Sequence, residues 1–215
     1  MLTHTSGLPN WRGPLESARA AGMNIPENPE VLAFAHDPGS FRYSGEGFEV
    51  LLHAMARNTG RPPTDLLEQA LLRFGMRDSS FVWRPSYDAT AAVPHAADGK
   101  ALTKQRPAQP RAAGSLHTTM ADYSAFARAV LDERADETFQ PLVSLDDIHG
   151  RSLGWGTVRT PAGQVAWQHG DNRGFKHLVG LRRPQGDGVV IFTNGDDGQA
   201  LCREVFLRAL GVRPW

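Results

Sequence analysis

Between Trp167 and Phe175 the chain reads Trp-Gln-His-Gly-Asp-Asn-Arg-Gly-Phe, a polar, glycine-punctuated stretch with apolar segments on both sides. A histidine, a carboxylate and an amide so close together can orient or relay a proton, and loops at strand ends are where a rigid sheet displays such groups. Asn and Gly also form turns for backbone reasons alone, so the same residues suit an ordinary connection. Other chemical signatures are missing from the sequence: there is no Gly-x-Ser-x-Gly elbow, no phosphate-binding glycine loop, no His-Glu-x-x-His and no cysteine pair for zinc. The eight histidines are scattered, and of these only His169 falls in a stretch of this kind. Metal ligands would have to be gathered from distant loops without a spacing signal, so neither a metal nor a cofactor is expected.

The flanking segments predict what positions that stretch. Gly163 to Trp167 alternates polar and apolar residues, Phe175 to Arg182 follows, and a Pro-Gln-Gly-Asp-Gly turn leads into Val189-Val190-Ile191-Phe192. With Leu153 to Thr160 these make four strands of an antiparallel meander. Ala200, Leu201, Val205, Phe206, Leu207 and Leu210 predict a closing amphipathic helix over one face of that sheet. Upstream, Phe48, Leu51, Leu52 and Met55 give a helical stripe ending near Gly60, and a second helix is expected from Thr64 as N-cap to Gly75 as a C′ glycine. Thr119 and Asp122 have capping-box spacing ahead of a third helix carrying Tyr123, Phe126, Val130 and Leu131. Residues 1–40 are broken by Gly7-Leu8-Pro9-Asn10 and Ile25-Pro26-Glu27-Asn28-Pro29, which leaves room for short helical pieces only, and residues 84–113 read as a long Ala/Pro/Gly loop, a cover for a site or a disordered segment. The expected fold is α+β: an antiparallel sheet from the C-terminal strands with helices on its faces, joined to a mainly helical region. It forms one domain over 1–215, with helices and loops to 140 and the sheet and final helix from 141.

A chain of 215 residues with 40% hydrophobic and 21% charged residues buries a real core. Its formal net charge of +0 removes the electrostatic case for nucleic acid, so a small molecule is the expected partner. One cysteine, Cys202, excludes an internal disulfide. No apolar window reaches transmembrane length, and Met1-Leu2-Thr3-His4-Thr5 lacks the basic start and apolar core of a signal peptide, so compartment is left open.

Four segments stand in a familiar order: Leu2-Thr3-His4-Thr5-Ser6-Gly7-Leu8-Pro9, Phe41-Arg42-Tyr43-Ser44-Gly45-Glu46-Gly47-Phe48, Ala113-Gly114-Ser115-Leu116-His117-Thr118-Thr119-Met120-Ala121-Asp122, and Gln168-His169-Gly170 followed by Gly174-Phe175. In this order they resemble the serine beta-lactamase and penicillin-binding-protein-like family, in the style of its class C, esterase-like members, over nearly the whole chain. The resemblance implies that Tyr43 is the tyrosine of a Tyr-x-Asn motif and serves as general base, with Gly45 in place of the motif's Asn. It places Gln168-His169-Gly170 at the family's Lys-Thr-Gly or His-x-Gly, with Gln168 where a cation is expected and His169 able to replace it in part when protonated. It makes Gln168, Gly170, Asp171 and Gly45 substrate-binding positions, the backbone near Asp171 contributing an oxyanion-hole amide. Members of this family are often periplasmic or secreted.

The family's nucleophile belongs to a Ser-x-x-Lys motif, and none exists in this sequence: Lys100, Lys104 and Lys176 follow Ala97, Ala101 and Arg173 at that spacing. The expectation is an incomplete beta-lactamase/transpeptidase-like fold, truncated at its N-terminus. The complete form would hydrolyse an ester, amide or beta-lactam through an acyl-enzyme. This chain would be inactive alone, and surfaces left uncovered by truncation would favour self-association. The alternative is a non-catalytic ligand-binding or interaction protein that keeps the cleft. Ser44 reads as a turn residue, Ser6, Ser40 and Ser115 as turns or caps, and Trp155 and Trp167 as packing on the sheet.

Overall fold

The computed structural model describes residues 1–11, 34–132, 136–183 and 185–215. The Ile25-Pro26-Glu27-Asn28-Pro29 breakers and the helical pieces expected around them lie outside the described residues. Six strands, β1 Val143–Ser144, β2 His149–Arg151, β3 Gly156–Thr160, β4 Gly163–Asn172, β5 Phe175–Arg183 and β6 Asp187–Thr193, pair in sequence order, each antiparallel to the next. The residues before Leu153, outside the four strands expected from the sequence, contribute the short β1 and β2. Among the described residues the α-helices are α1 Glu46–Thr59, α2 Pro63–Arg73, the single turn α3 Tyr87–Thr90, α4 Met120–Asp132 and α5 Gly198–Leu210.

Both sheet faces are covered, and the alternation of strand residues decides what each face holds. Val158, Val165, Trp167, Leu178 and Ile191 pack with Cys202, Phe206 and Leu210 of α5. Ala166, Val179 and Leu181 point the other way, into Ala127 and Val130 of α4 and Phe139. Trp167 and Trp155 thus serve opposite faces. Phe206, Val158 and Val165 are fully buried, and a Cβ on Gly180 would lie 2.3 Å from the Phe206 ring, so this strand position requires glycine for close approach.

The helical region departs from its sequence pattern in instructive ways. In α1 the buried side includes Glu46, Glu49, Val50 and Leu52, whereas Met55 of the expected stripe is exposed. The Glu49 carboxylate accepts the amides of Ala112 and Ala113 at 3.3 and 3.0 Å, which fastens the far end of the 84–113 segment to α1. That segment is tied into the fold: His95 bridges to Ala101 and Gly195, and Ser115 Oγ accepts the Arg111 amide at 2.8 Å. Thr64 is not the N-cap of α2. Pro62 holds that position and Pro63 begins the helix, where a missing N–H is no loss. Thr119 Oγ1 accepts the Asp122 amide at 3.1 Å as the capping spacing predicts, but the Asp122 carboxylate turns away to the Asp78 amide and Ser79 Oγ. Among the described residues no helix is long and apolar enough to cross a membrane.

Candidate active site

The stretch from Gln168 to Asn172, expected as a connection, is strand. β4 runs ten residues through it, and the turn to β5 is only Arg173-Gly174, with Gly174 at φ 78° against Pro94. The two neighbours of β4 differ in reach. β5 pairs with it from Gln164↔Arg183 to Asn172↔Phe175, whereas β3 stops at Gly156↔Trp167. Among the described residues, 168–172 therefore have a strand on one side only.

In an antiparallel ladder, successive residues direct their backbone groups to opposite sides. The amide of His169 faces the open side, where Gln168 Oε1 accepts it at 3.0 Å, and by alternation the Asp171 amide faces the same way. Gln168 Nε2 donates to Gly154 O at 2.7 Å, so this side chain replaces part of the missing ladder between β4 and the turn before β3. Its amide is thereby committed to the backbone. The pleat sets Gln168 on the face of Ala166, opposite His169 and Asp171. Gly170 is not forced by packing, since an added Cβ would meet only His177 at 3.7 Å.

Asp171 is held by Lys176 Nζ at 2.9 Å, and the same ammonium reaches Asp196 at 2.8 Å and Asn172 O at 2.9 Å. Asp196 also accepts the Gly174 amide at 2.6 Å, closing the network around the hairpin. Burial opposes the charge of Lys176, but its two carboxylate partners outweigh that and raise its pKa.

Facing this edge is a cluster from the N-terminal segments. His4 has φ 57°, in the left-handed region that β-carbon sterics disfavour, and three backbone ties hold it there: its amide to Met1 O, the Arg42 amide to His4 O, and the Ser44 amide to His4 Nδ1 at 3.0 Å. Tyr43 is stacked on the imidazole with ring centroids 4.4 Å apart, and Phe48 and Phe41 complete the surround at 5.3 and 6.0 Å. The Arg151 guanidinium at the end of β2 lies between the Phe41 ring (4.7 Å) and the Trp167 ring (4.9 Å). Trp215 covers Trp167 and His169, with centroids 4.8 and 5.0 Å away.

The electrostatics of this cluster follow from burial beside one fixed cation. Burial first, then Arg151, lowers the pKa of His4 to about 4. The same two causes in the same order lower that of His169. Burial and Arg151 thus both disfavour the charged form of the two imidazoles, and Arg151 is the fixed cation beside them. The Tyr43 phenol is raised by burial, with Arg151 pulling the other way.

The expected residues divide accordingly. Tyr43, His169 and Asp171 share one electrostatic neighbourhood through Arg151 and through Asp171 itself. Gln168 is structural in its contacts. Gly45 is enforced sterically: a Cβ there would lie 2.4 Å from the Trp11 ring, and its amide donates to Asn10 Oδ1, so an Asn has no room in this packing. Ser44 Oγ donates to Pro9 O and accepts from Gly47, the contacts of a turn residue. His4 and Arg151 were missed from the sequence. His4 stood inside a recognised segment as one of many scattered histidines, whereas Arg151, alone in a polar stretch, gave no signal.

A family model described as Beta-lactamase matches residues 1–212. Similar solved structures include a beta-lactamase/D-alanine carboxypeptidase from Pseudomonas syringae, at 14% identity and TM-score 0.80 over 98% of this chain and 70% of that one. An octameric penicillin-binding protein homologue from Pyrococcus abyssi aligns at 16% identity and TM-score 0.78 over 99% and 55%, and a D-stereospecific amidohydrolase from Streptomyces sp. at 20% and 0.72 over 98% and 71%. No curated protein sequence matches. At these identities the solved structures speak for the fold, and the family model, covering almost every residue, shows that the chain belongs to the beta-lactamase family of serine hydrolases and penicillin-binding-protein homologues.

Proposed function

We propose that the cleft between Tyr43 and the open edge of β4 is a substrate site for acyl-enzyme hydrolysis of an ester, amide or beta-lactam, and that these 215 residues do not complete that reaction alone. The observation that carries the second part is the absence of a Ser-x-x-Lys from the sequence, and the state of Tyr43 agrees with it. Its phenol lies above its ordinary range with Arg151 as the opposing cation, and no Ser-x-x-Lys supplies an ammonium beside it. A tyrosine in that state holds its proton at neutral pH and acts as a hydrogen-bond donor; a base needs further positive charge to release the proton. Lys176 cannot supply it, because its ammonium is shared by Asp171 and Asp196. In the proposed complex the carbonyl to be attacked lies along residues 169–171, where the outward Asp171 amide stabilises developing negative charge, and Tyr43 serves the leaving group.

Turnover of nitrocefin and of p-nitrophenyl esters by this chain tests the proposal. Rates at buffer background are expected; robust turnover abolished by Tyr43→Phe would show a nucleophile within these residues and defeat it. The Pyrococcus homologue is an octamer. Self-association of this chain, through surfaces such as the outer edge of β6 at the end of the strand order, is the accompanying proposal, and a monodisperse monomer in light scattering would dismiss it.

A further inference from the structure

The register sets one row of residues across the sheet at Gly170: Gly170 on β4 lies opposite His177 on β5, and His177 lies opposite Phe192 on β6. Alternation from Ala166, Val179 and Leu181 puts the row on the α4 side of the sheet, away from His169, Asp171 and Lys176. The His177 imidazole has two rings beside it, with the Phe192 centroid 4.8 Å away and the Phe175 centroid 5.9 Å away. The Thr193 amide donates to its Nδ1 at 3.3 Å, which places the ring proton on Nε2. Nε2 has no hydrogen-bond partner among the described residues and is not one of the polar atoms sealed from solvent. Burial disfavours the charged form of the ring. His177 thus offers one uncharged N–H donor that the fold does not use.

Gly170 is what leaves this donor open. Its φ is not in the left-handed region, and an added Cβ would meet only Cβ and Cδ2 of His177, both at 3.7 Å, so neither conformation nor packing requires a glycine there. Cδ2 is bonded to Nε2, so a larger side chain at 170 would extend over the donor from the open edge of β4.

We propose that His177 is a specificity-determining residue of the cleft, its Nε2–H donating to a neutral carbonyl oxygen on an arm of the ligand that crosses Gly170 and lies against the Phe175 ring. The inference rests on the open edge of β4 being a ligand site and requires no hydrolysis. His177 stands one strand in from that edge, so the arm carries its acceptor roughly 5 Å from the group bound along residues 169–171. A neutral carbonyl is matched here and a carboxylate is not, because a charged group would give up its hydration for a single uncharged donor beside hydrocarbon rings.

Phenylacetamide is the probe, with ethylbenzene as the hydrocarbon that lacks the acceptor. Titration of phenylacetamide into the unsubstituted chain should shift the His177 Nε2–H resonance saturably, and ethylbenzene should not. His177→Phe keeps an aromatic ring in the row and should weaken binding about fivefold, the loss of one neutral hydrogen bond. Gly170→Val suits a strand and has space for its Cβ, so it should abolish the shift while leaving the thermal midpoint in place. An unmoved resonance, an equal shift with ethylbenzene, or a saturable shift that survives in Gly170→Val would each overturn the proposal. Background turnover of nitrocefin and ester together with the shift leaves this inference standing, and an unmoved resonance in a chain with that same background turnover removes it alone.

Discussion

The two halves of β4 are one strand in two environments. From Gly163 to Trp167 it runs between β3 and β5, and Val165, Ala166 and Trp167 are all buried. From Gln168 to Asn172 it keeps β5 and loses β3, and the side chains become Gln, His, Asp and Asn. Where both neighbours are present, backbone groups are consumed by the ladder and side chains by the core, so nothing is left to meet a ligand. Where one neighbour stops, outward amides and side chains become available without any loss of strand geometry. A rigid strand with a free edge is a more exact scaffold for a site than a loop.

The largest test of this contrast is a pair at one register position, since Leu178 lies directly opposite His169. Leu178 is in the α5-side core, and Leu178→Ala should destabilise the chain by about 2–5 kcal/mol in urea unfolding. His169→Ala should stay within about 1 kcal/mol. Equal losses would mean that the open half is as structural as the closed one.

A second test uses pH. His4 is buried neutral, its pKa falling from 6.5 to about 4. A lowered histidine contributes stability that is complete above the unfolded value and is lost as pH falls toward the folded one. Thermal unfolding should therefore show acid loss between about pH 6.5 and about 4, and His4→Asn should flatten it, since Asn tolerates the positive φ and offers an oxygen to the Ser44 amide. An identical pH slope in the variant would assign the acid sensitivity elsewhere.

The smallest effect falls on Gln168. Gln168→Ala removes the acceptor of the His169 amide and the donor to Gly154 O, which should lower stability by about 1 kcal/mol and speed hydrogen exchange at the His169 amide. Unchanged exchange there would mean that the open edge does not need its side-chain substitute.

The periodicities of 2 and 3.6 located four strands, the closing helix and the capped start of α4, because each is a local pattern that burial on one side imposes. They could not locate where β3 ends relative to β4, and that offset decides that residues 168–172 are an edge. Gln168 and His169 are adjacent letters, and pattern alone does not say which shares the face of Trp167; the pleat, fixed by the register with β5, sends them to opposite faces. The 84–113 segment looked featureless because its order comes from contacts with no local pattern: the Glu49 carboxylate on the Ala112 and Ala113 amides, Ser115 Oγ on the Arg111 amide, and the backbone bridge of His95 to Gly195.

By itself, then, the sequence determined four of the strands, the four longer helices, their order, the family and the missing Ser-x-x-Lys, all of which are carried by residues near one another along the chain. Only the tertiary structure brought His4 and Arg151 to Tyr43 and lowered the pKa of both imidazoles beside a fixed cation. A pKa depends on what is packed within a few ångströms in space, and at Arg151 those neighbours, Phe41 and Trp167, are distant in sequence on both sides.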